Sequence, residues 1–335
     1  MEDSHLPKVT VIVAVRNMER TIARCIESLL KVEYPHKEII IIDDGSTDNT
    51  PDVVARYPVE MIRIKNSGVS EARNVGLGSC NSQIVAFTDG DCYVERDWLA
   101  MLVRRFSDET VGGVGGYVDF EKSGVVATAL SLEYQKRFAQ RGRATRSIAC
   151  ISAAFKRDVL LSVGGFRRLV GQKVGGEDID LSYRIVTAGH TLIYEPKAIV
   201  HHDGFEMSRG IVRRNFRNAA VSVAIFREHK LAWKDPFFGS SVMSQPIIFG
   251  LAVVGAAVAV AVGWQLGLLL LVLPLVLTLP NGVRTAFEVR KPSAIVIVPL
   301  VLCARSAAIL AGAVWGTATM IGESRNANRP RADHK

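Results

Sequence analysis

Ile84-Val85-Ala86-Phe87-Thr88-Asp89-Gly90-Asp91 is a run of mostly apolar residues that stops at two carboxylates with one glycine between them. Apolar residues without alternation predict a strand covered on both faces, the mark of a parallel α/β sheet. Two Asp one residue apart at a strand's end can turn towards one point, because the glycine lets the backbone kink there. Such a pair is a hard, oxygen-only ligand set, suited to Mg²⁺ or Mn²⁺ that also holds phosphates. Asp-Gly-Asp is equally ordinary turn chemistry. The meaning of the run therefore depends on its surroundings.

Upstream, Val9 to Val15 is a second continuous apolar, β-branched run, ended by Arg16-Asn17. Thr21 to Leu30 carries apolar residues at Ile22, Ile26, Leu29 and Leu30, a helical period. Glu38 to Ile42 predicts another buried strand, and it too runs into acid at Asp43-Asp44-Gly45-Ser46-Thr47-Asp48. Asp52 to Arg56 reads as a short helix, Val59 to Ile64 as a strand, and Val69 to Leu77 as a helix with Ser70 near its cap and Gly78 at its end. Strands alternating with helices predict a parallel sheet whose ligands collect beyond the strands' carboxyl ends. Both acidic stretches fall at such ends.

Downstream, Trp98 to Phe106 predicts a helix and Val111 to Phe120 a strand broken by glycines. Those glycines do not match GxGxxG and no helix opens after them, so close backbone packing is the better reading than a dinucleotide fingerprint. Thr128 to Gln140 predicts a helix whose basic flank suits headgroups or plain solvent. Ile151 to Val163 turns from strand to helix, and Gly164-Gly165-Phe166 marks a loop. In Gly175-Gly176-Glu177-Asp178-Ile179-Asp180, acids precede an apolar-periodic run. They serve there as helix-capping and dipole-compensating groups, or as a base for an acceptor hydroxyl at the mouth of a pocket. Thr191 to Tyr194 and Ala198 to Val200 predict an extended pair ending in His201-His202-Asp203. A neutral imidazole there could complete the coordination of a divalent ion beside Asp91.

The chain has 335 residues, 48% of them apolar and 22% charged, with a mean hydropathy of +0.19. Charges are dense up to Asp235 and nearly vanish from Ile247 to Ile321. This predicts a soluble α/β domain over 1–235, a membrane region over 236–323 with helices at 243–263, 266–287 and 294–321, and a basic tail over 324–335. Each span needs ~20 apolar residues. The N-terminal stretch lacks a basic segment followed by a long apolar core, so no cleavable signal is expected. Five cysteines without CxxC spacing suggest reduced thiols on a cytosolic face.

A net charge of +8 suits nucleic acid or an anionic membrane surface. Arg209, Arg213, Arg214 and Arg217, then Arg325, Arg329 and Arg331, flank the apolar segments, and no basic strand carries interleaved aromatics. A membrane partner is expected, and no nucleic acid. With the α/β domain inside the cell, Arg290 and Lys291 also lie inside, as the positive-inside rule prefers, while the tail's basic residues fall outside against it. Arg305 sits within the third apolar run, where it suits a lipid phosphate or an interior helix contact.

The stretches VTVIVAVRN, IIIIDDGSTDNT, NSGVSEARNVGL, IVAFTDGDC, GGFRR and GGEDIDLSYRIVTAGHTLIYEPKAIVHH run from Val9 to His202. In this order they resemble family 2 of the glycosyltransferases, inverting enzymes with the GT-A fold, a mixed, mostly parallel sheet flanked by helices. The resemblance implies that Asp44, with Asp43 beside it, bonds the base and ribose of a nucleotide. It implies that Arg73 approaches the diphosphate and that Asp89 and Asp91 bind ribose and metal. Asp178 would be the general base, supported by Glu177. His202 would join the metal, with His201 as rival, and Arg213, Arg214 or Arg217 would cover the diphosphate. The implied cofactor is Mn²⁺ or Mg²⁺ and the implied donor a nucleotide-diphospho-sugar, foremost a UDP-sugar. The apolar segments add an expected lipid-linked acceptor of polyprenyl-phosphate type and a multi-pass place in the cell membrane, with the catalytic domain on the cytoplasmic side.

Two departures stand out. Arg16-Asn17 replaces the family's common Tyr-Asn pair, and RRNFRNAA stands where processive synthases carry Gln-x-x-Arg-Trp. Single addition is thus favoured over polymerisation. A phosphoryl-transfer enzyme would want a Walker lysine, which is absent from the sequence. A non-catalytic scaffold is disfavoured by the intact Asp44, Asp89, Asp91 and Asp178.

Overall fold

The computed structural model describes residues 6–122, 124–139, 144–168, 175–203, 210–230, 244–262 and 264–327. It divides into two compact units, Met1–Arg168 with Glu177–Arg209, and Leu169–Gly176 with Gly210–Lys335. The expected residues Arg209, Arg329, Arg331 and Lys335 lie outside the described residues.

The first unit is a nine-stranded sheet. Its strands are β1 (Val9–Val15), β2 (Lys37–Asp43), β3 (Glu60–Arg63), β4 (Ile84–Asp89), β5 (Cys92–Val94), β6 (Val111–Phe120), β7 (Ala144–Thr145), β8 (Ser152–Lys156) and β9 (Thr191–His202). The spatial order is β3-β2-β1-β4-β8-β6-β9-β5, with β7 pairing β9. β1, β2, β3 and β4 are mutually parallel, whereas β8 runs antiparallel to β4 and to β6. The helices are α1 (Ile22–Leu30), α2 (Thr50–Val54), α3 (Val69–Ser79), α4 (Trp98–Val103), α5 (Val125–Ala139), α6 (Arg157–Ser162) and α7 (Glu177–Thr187). After β3 the chain returns to pair β4 with β1, so the crevice opens beyond the carboxyl ends of β1 and β4.

Two apolar layers explain why the central strands are apolar without alternation. Val11, Val13, Ile41 and Ala86 pack with Ile22, Ile26 and Leu29 of α1 and with Trp98 of α4. Their neighbours Ile12, Ile40, Ile42, Val85 and Phe87 pack with Ala72 and Leu77 of α3 and with Leu181 and Ile185 of α7. Successive side chains leave opposite faces of the sheet, so covering both faces demands apolar residues throughout. Each large side chain buried this way contributes about 1.5–3 kcal/mol.

The glycines of β6 serve close packing, as expected. A Cβ on Gly113 would stand 2.5 Å from the Phe155 ring, and one on Gly116 would stand 2.2 Å from Ser152 Oγ and 2.3 Å from the Ala198 carbonyl. Gly90 departs from the expected kink. Its φ is not left-handed, and a Cβ there would meet Val15 Cγ1 at 2.8 Å. Sterics against β1, not backbone freedom, set that position.

Other details differ from expectation. The predicted pair at 191–200 is one strand, β9, with a register shift against β6 between Gly116 and Tyr117. Ser70 does not cap α3, whose N-cap is Gly68. The Asp44 carboxylate does the equivalent work by accepting the backbone N–H of Ser67 at 2.6 Å and of Gly68 at 2.9 Å.

The second unit contains helices Ile211–Glu228, Ser244–Val262, Trp264–Val289 and Ala294–Ala327. Within it, Gly312 and Gly316 lie one turn apart against the first of these helices. A Cβ on Gly312 would stand 2.1 Å from the Phe216 carbonyl oxygen, and one on Gly316 2.7 Å from that of Ala220. Small residues at this spacing let two helix backbones touch. Helices form at all three expected apolar segments. Among the described residues, only Ala294–Ile321 combines the length, 28 residues, and the hydropathy, 2.3, of a membrane-crossing helix. Arg305 is 5% exposed, which places it inside the unit and not snorkelling at a lipid surface.

Candidate active site

The expected acids gather at the carboxyl ends of β2 and β4, at the start of α7 and at the end of β9, all within the first unit. Their link is Arg73 on α3. Its Nη1 donates to Glu177 Oε1 at 2.7 Å and its Nη2 to Asp89 Oδ1 at 3.1 Å. One guanidinium thus joins the end of β4 to the first residue of α7. Burial works against the Arg73 charge, but the carboxylates of Glu177 and Asp89 outweigh it and hold the group protonated. Glu177 is buried, and its Oε2 has no hydrogen-bond partner among the described residues. Asp89 keeps 36% of its side chain exposed at the site.

Asp178 follows Glu177 and is half-buried. Burial, then the neighbouring Glu177 charge, push its carboxyl up to about 7 against the pull of Arg73. A carboxylate with that value is poised to exchange a proton near neutral pH.

Asp91 and His202 form the second cluster. His202 Nε2 stands 3.4 Å from Asp91 Oδ2, while Nδ1 lies 2.9 Å from the Asp203 carbonyl oxygen. A carbonyl can only accept, so Nδ1 donates to it and Nε2 is the ring nitrogen turned towards Asp91. His201 faces the other side of β9, as the two-residue period requires. It stacks on Tyr93 with centroids 4.7 Å apart and reaches Glu95 at 2.7 Å and Asp119 at 3.4 Å. Asp91, Cys92 and His202 each offer a ligand atom within 4.8 Å of the others. A carboxylate with an oriented imidazole fits a divalent cation. Burial, helped by Asp91 and Asp89, raises the Cys92 thiol and keeps it protonated.

Asp44 and Asp43 divide their work. Asp44 holds the turn into α3 as described, and its side chain is nearly buried. Asp43 is fully buried, accepts the Ser46 N–H at 2.9 Å and pairs with Arg63 at 3.2 Å. In this structure its carboxylate supports the turn at Ser46 from inside the fold. Arg213, Arg214 and Arg217 belong to helix Ile211–Glu228 of the second unit.

Two supporting contacts, those of Asn74 and of Asp180, escaped the sequence reading. Asn74, next to Arg73, donates to the Phe166 carbonyl at 2.7 Å and accepts the Phe166 N–H at 2.8 Å. It fixes the Gly164-Gly165-Phe166 loop against α3. Asp180 is fully buried and receives Arg167 Nε at 2.8 Å and Arg184 Nε at 2.9 Å. Its signal was present in the spacing, because Asp180 and Arg184 are one helical turn apart.

A mixed sheet whose parallel strands end in acids, with an Asp–His pair at the same edge, defines an α/β domain of GT-A type. Residues 10–163 match the family described as Glycosyl transferase family 2. The pre-mycofactocin glycosyltransferase of Mycobacterium tuberculosis is 31% identical over 243 residues, covering 67% of this chain and 49% of that protein. Glycosyltransferase AglE of Haloferax volcanii is 25% identical over 70% of this chain and 79% of its own. A mannosyltransferase from Pyrobaculum calidifontis, solved with GDP-Man and Mn²⁺, superposes with a TM-score of 0.65 at 23% identity, over 94% of this chain and 88% of that one. The matched residues carry a domain of glycosyltransferase family 2. It spans about half the length of the mycobacterial relative.

Proposed function

We propose that the protein transfers a single sugar from a nucleoside-diphosphate donor to a lipid-linked acceptor, with inversion at the anomeric carbon. The observation that carries this reading is the Arg73 bridge, which brings Asp89 and the Glu177-Asp178 pair to one guanidinium. Family membership supports the donor class, and an apolar helix of crossing length supports a membrane-resident acceptor. The polyprenyl-phosphate carrier, the multi-pass arrangement and the cytoplasmic side belong to the proposal.

Each residue then has a task. Asp178 takes the proton from the acceptor hydroxyl as that oxygen attacks the sugar from the side opposite the diphosphate. Arg73 holds Glu177 and Asp89 in register and supplies positive charge beside the donor. Asp44 sets the turn that meets the nucleotide. Asp91 and His202, with Asp89, would hold a divalent cation, Mn²⁺ or Mg²⁺. When bound, that cation offsets the charge developing on the leaving diphosphate.

The test is a panel of nucleotide sugars screened by thermal shift with and without Mn²⁺, followed by transfer of labelled sugar to a polyprenyl phosphate. Metal-dependent stabilisation by one donor, and a labelled lipid product, are expected. Stabilisation without any lipid product would overturn the acceptor assignment, and no response to any donor would overturn the reading.

A further inference from the structure

We propose that Asp91, Cys92 and His202 form a three-ligand site for a soft divalent cation, Zn²⁺ or Cd²⁺, which competes with the hard cation of sugar transfer. This rests on the reading of Asp91 and His202 as cation ligands and adds a sulfur that the transfer chemistry does not use. Cys92 sits directly opposite His202 in the antiparallel β5–β9 pair, so the two side chains rise on one face of the sheet. Tyr93 and His201 pair next to them and stack on each other.

The separations suit a tetrahedral ion. Cys92 Sγ lies 3.6 Å from Asp91 Oδ1, and Asp91 Oδ2 lies 3.4 Å from His202 Nε2. With Zn–S of about 2.3 Å and Zn–N and Zn–O of about 2.0–2.1 Å, tetrahedral angles put S and O about 3.6 Å apart, and N and O about 3.4 Å apart. Each distance, taken singly, has the length of such an edge, and the three ligand atoms lie within 4.8 Å of one another. The two distances end on different oxygens of one carboxylate, so Asp91 must turn about χ2 for a single oxygen to serve both. The bond from His202 Nδ1 to the Asp203 carbonyl holds the ring with Nε2 on that side.

Thiolate and imidazole select Zn²⁺ and its congeners, whereas carboxylate and water suit Mn²⁺ and Mg²⁺. In the binding step the Cys92 S–H bond breaks, the sulfur–metal bond forms and the proton passes to solvent. No oxidation state changes.

The full-length protein, without donor, is titrated with CdCl₂ while the ultraviolet thiolate-to-cadmium charge-transfer band is followed. Zn²⁺ and Mn²⁺ affinities are measured by competition. About one equivalent of Cd²⁺ is expected to raise the band with release of about one proton, and Mn²⁺ with a nucleoside diphosphate should suppress it. In Cys92→Ser and Cys92→Ala the band should vanish, and the Zn²⁺-to-Mn²⁺ affinity ratio should fall at least ~10-fold. Absence of the band in the unaltered protein overturns the proposal even if neither variant folds. A band and ratio unchanged in both variants overturn it as well. Asp91→Asn and His202→Ala distinguish the two readings. If they leave Mn²⁺ binding intact, the hard-cation reading and this proposal fall together. If they weaken Mn²⁺ while the Cys92 variants leave the ratio unchanged, this proposal falls alone.

Discussion

Arg73 Nη1 and Glu177 Oε1 lie 2.7 Å apart, although 104 positions separate the two residues in the chain. The same guanidinium holds Asp89, so the first residue of α7 and the last of β4 are tied through one buried cation. That tie sets where Asp178 stands relative to the β4 acids.

Removing the base should stop the chemistry and spare the binding. Asp178→Asn is expected to reduce transfer by ~10²–10⁴, while calorimetric affinity for the nucleoside diphosphate stays near that of the unaltered protein. Turnover near normal in a labelled-sugar assay would remove Asp178 from the mechanism.

The raised Asp178 value, about 7, has a definite sign in pH experiments. The base must be ionised, so kcat/KM should rise with pH through an acid limb at about 7 in the metal-free protein's terms, and lower once a cation adds its charge. The same shift acts oppositely on stability. A folded-state value above the unfolded carboxylate's ~3.9 means that the folded form binds the extra proton between the two values. Its contribution is fully present below the lower value and is lost as pH rises to about 7. In Asp178→Asn both the acid limb and this part of the stability profile should disappear.

Arg73 is a positioning residue, and its loss should be felt in folding as well as rate. Arg73→Met leaves Glu177 and Asp89 without their cation, and breaking a buried pair this way costs about 3–5 kcal/mol. Urea unfolding should report the loss. Arg73→Met combined with Glu177→Gln should recover part of it, because the uncompensated charge at Glu177 is then gone.

The two histidines should separate cleanly in metal binding. His202→Ala is expected to weaken Mn²⁺ by at least the ~10–100-fold seen when groups around a metal are removed. His201→Ala, whose ring pairs with Glu95 and Asp119 on the other face, should leave Mn²⁺ affinity near its original value. Equal effects in a Mn²⁺ titration would reverse the assignment.

In the helical unit, Gly312 is the tightest helix contact tested by a Cβ, 2.1 Å from the Phe216 carbonyl oxygen. Gly312→Val should push the helices Ala294–Ala327 and Ile211–Glu228 apart and lower stability by about 1–3 kcal/mol or more, measurable as a drop in Tm in detergent. Gly250→Ala, with its nearest neighbour, a Leu310 side-chain carbon, 3.4 Å away, should be far milder.

The unbroken apolar runs at Val9, Lys37 and Ile84 were sufficient to call for a sheet covered on both faces, because each residue must meet one layer or the other. Acids at the ends of those runs were legible as a site for the same reason, since a strand that turns from apolar to charged marks where it leaves the core. Glycine meanings were less legible. Gly90 was read as a kink, yet its neighbour Val15 is what excludes a side chain, and that neighbour sits on another strand.

Chain order alone therefore determined the parallel part of the sheet, β1 to β4, and the edge at which carboxylates collect, both properties of local periodicity, whereas the antiparallel place of β8 between β4 and β6 came from the tertiary fold. Tertiary structure decided which partner each acid meets. Asp43 is sealed by Arg63, Asp44 is spent on the turn into α3, Glu177 is held by Arg73, and His202 rather than His201 meets Asp91. Those partners come from distant segments, and a side chain's charge state and orientation depend on whatever packs against it, which no local pattern encodes.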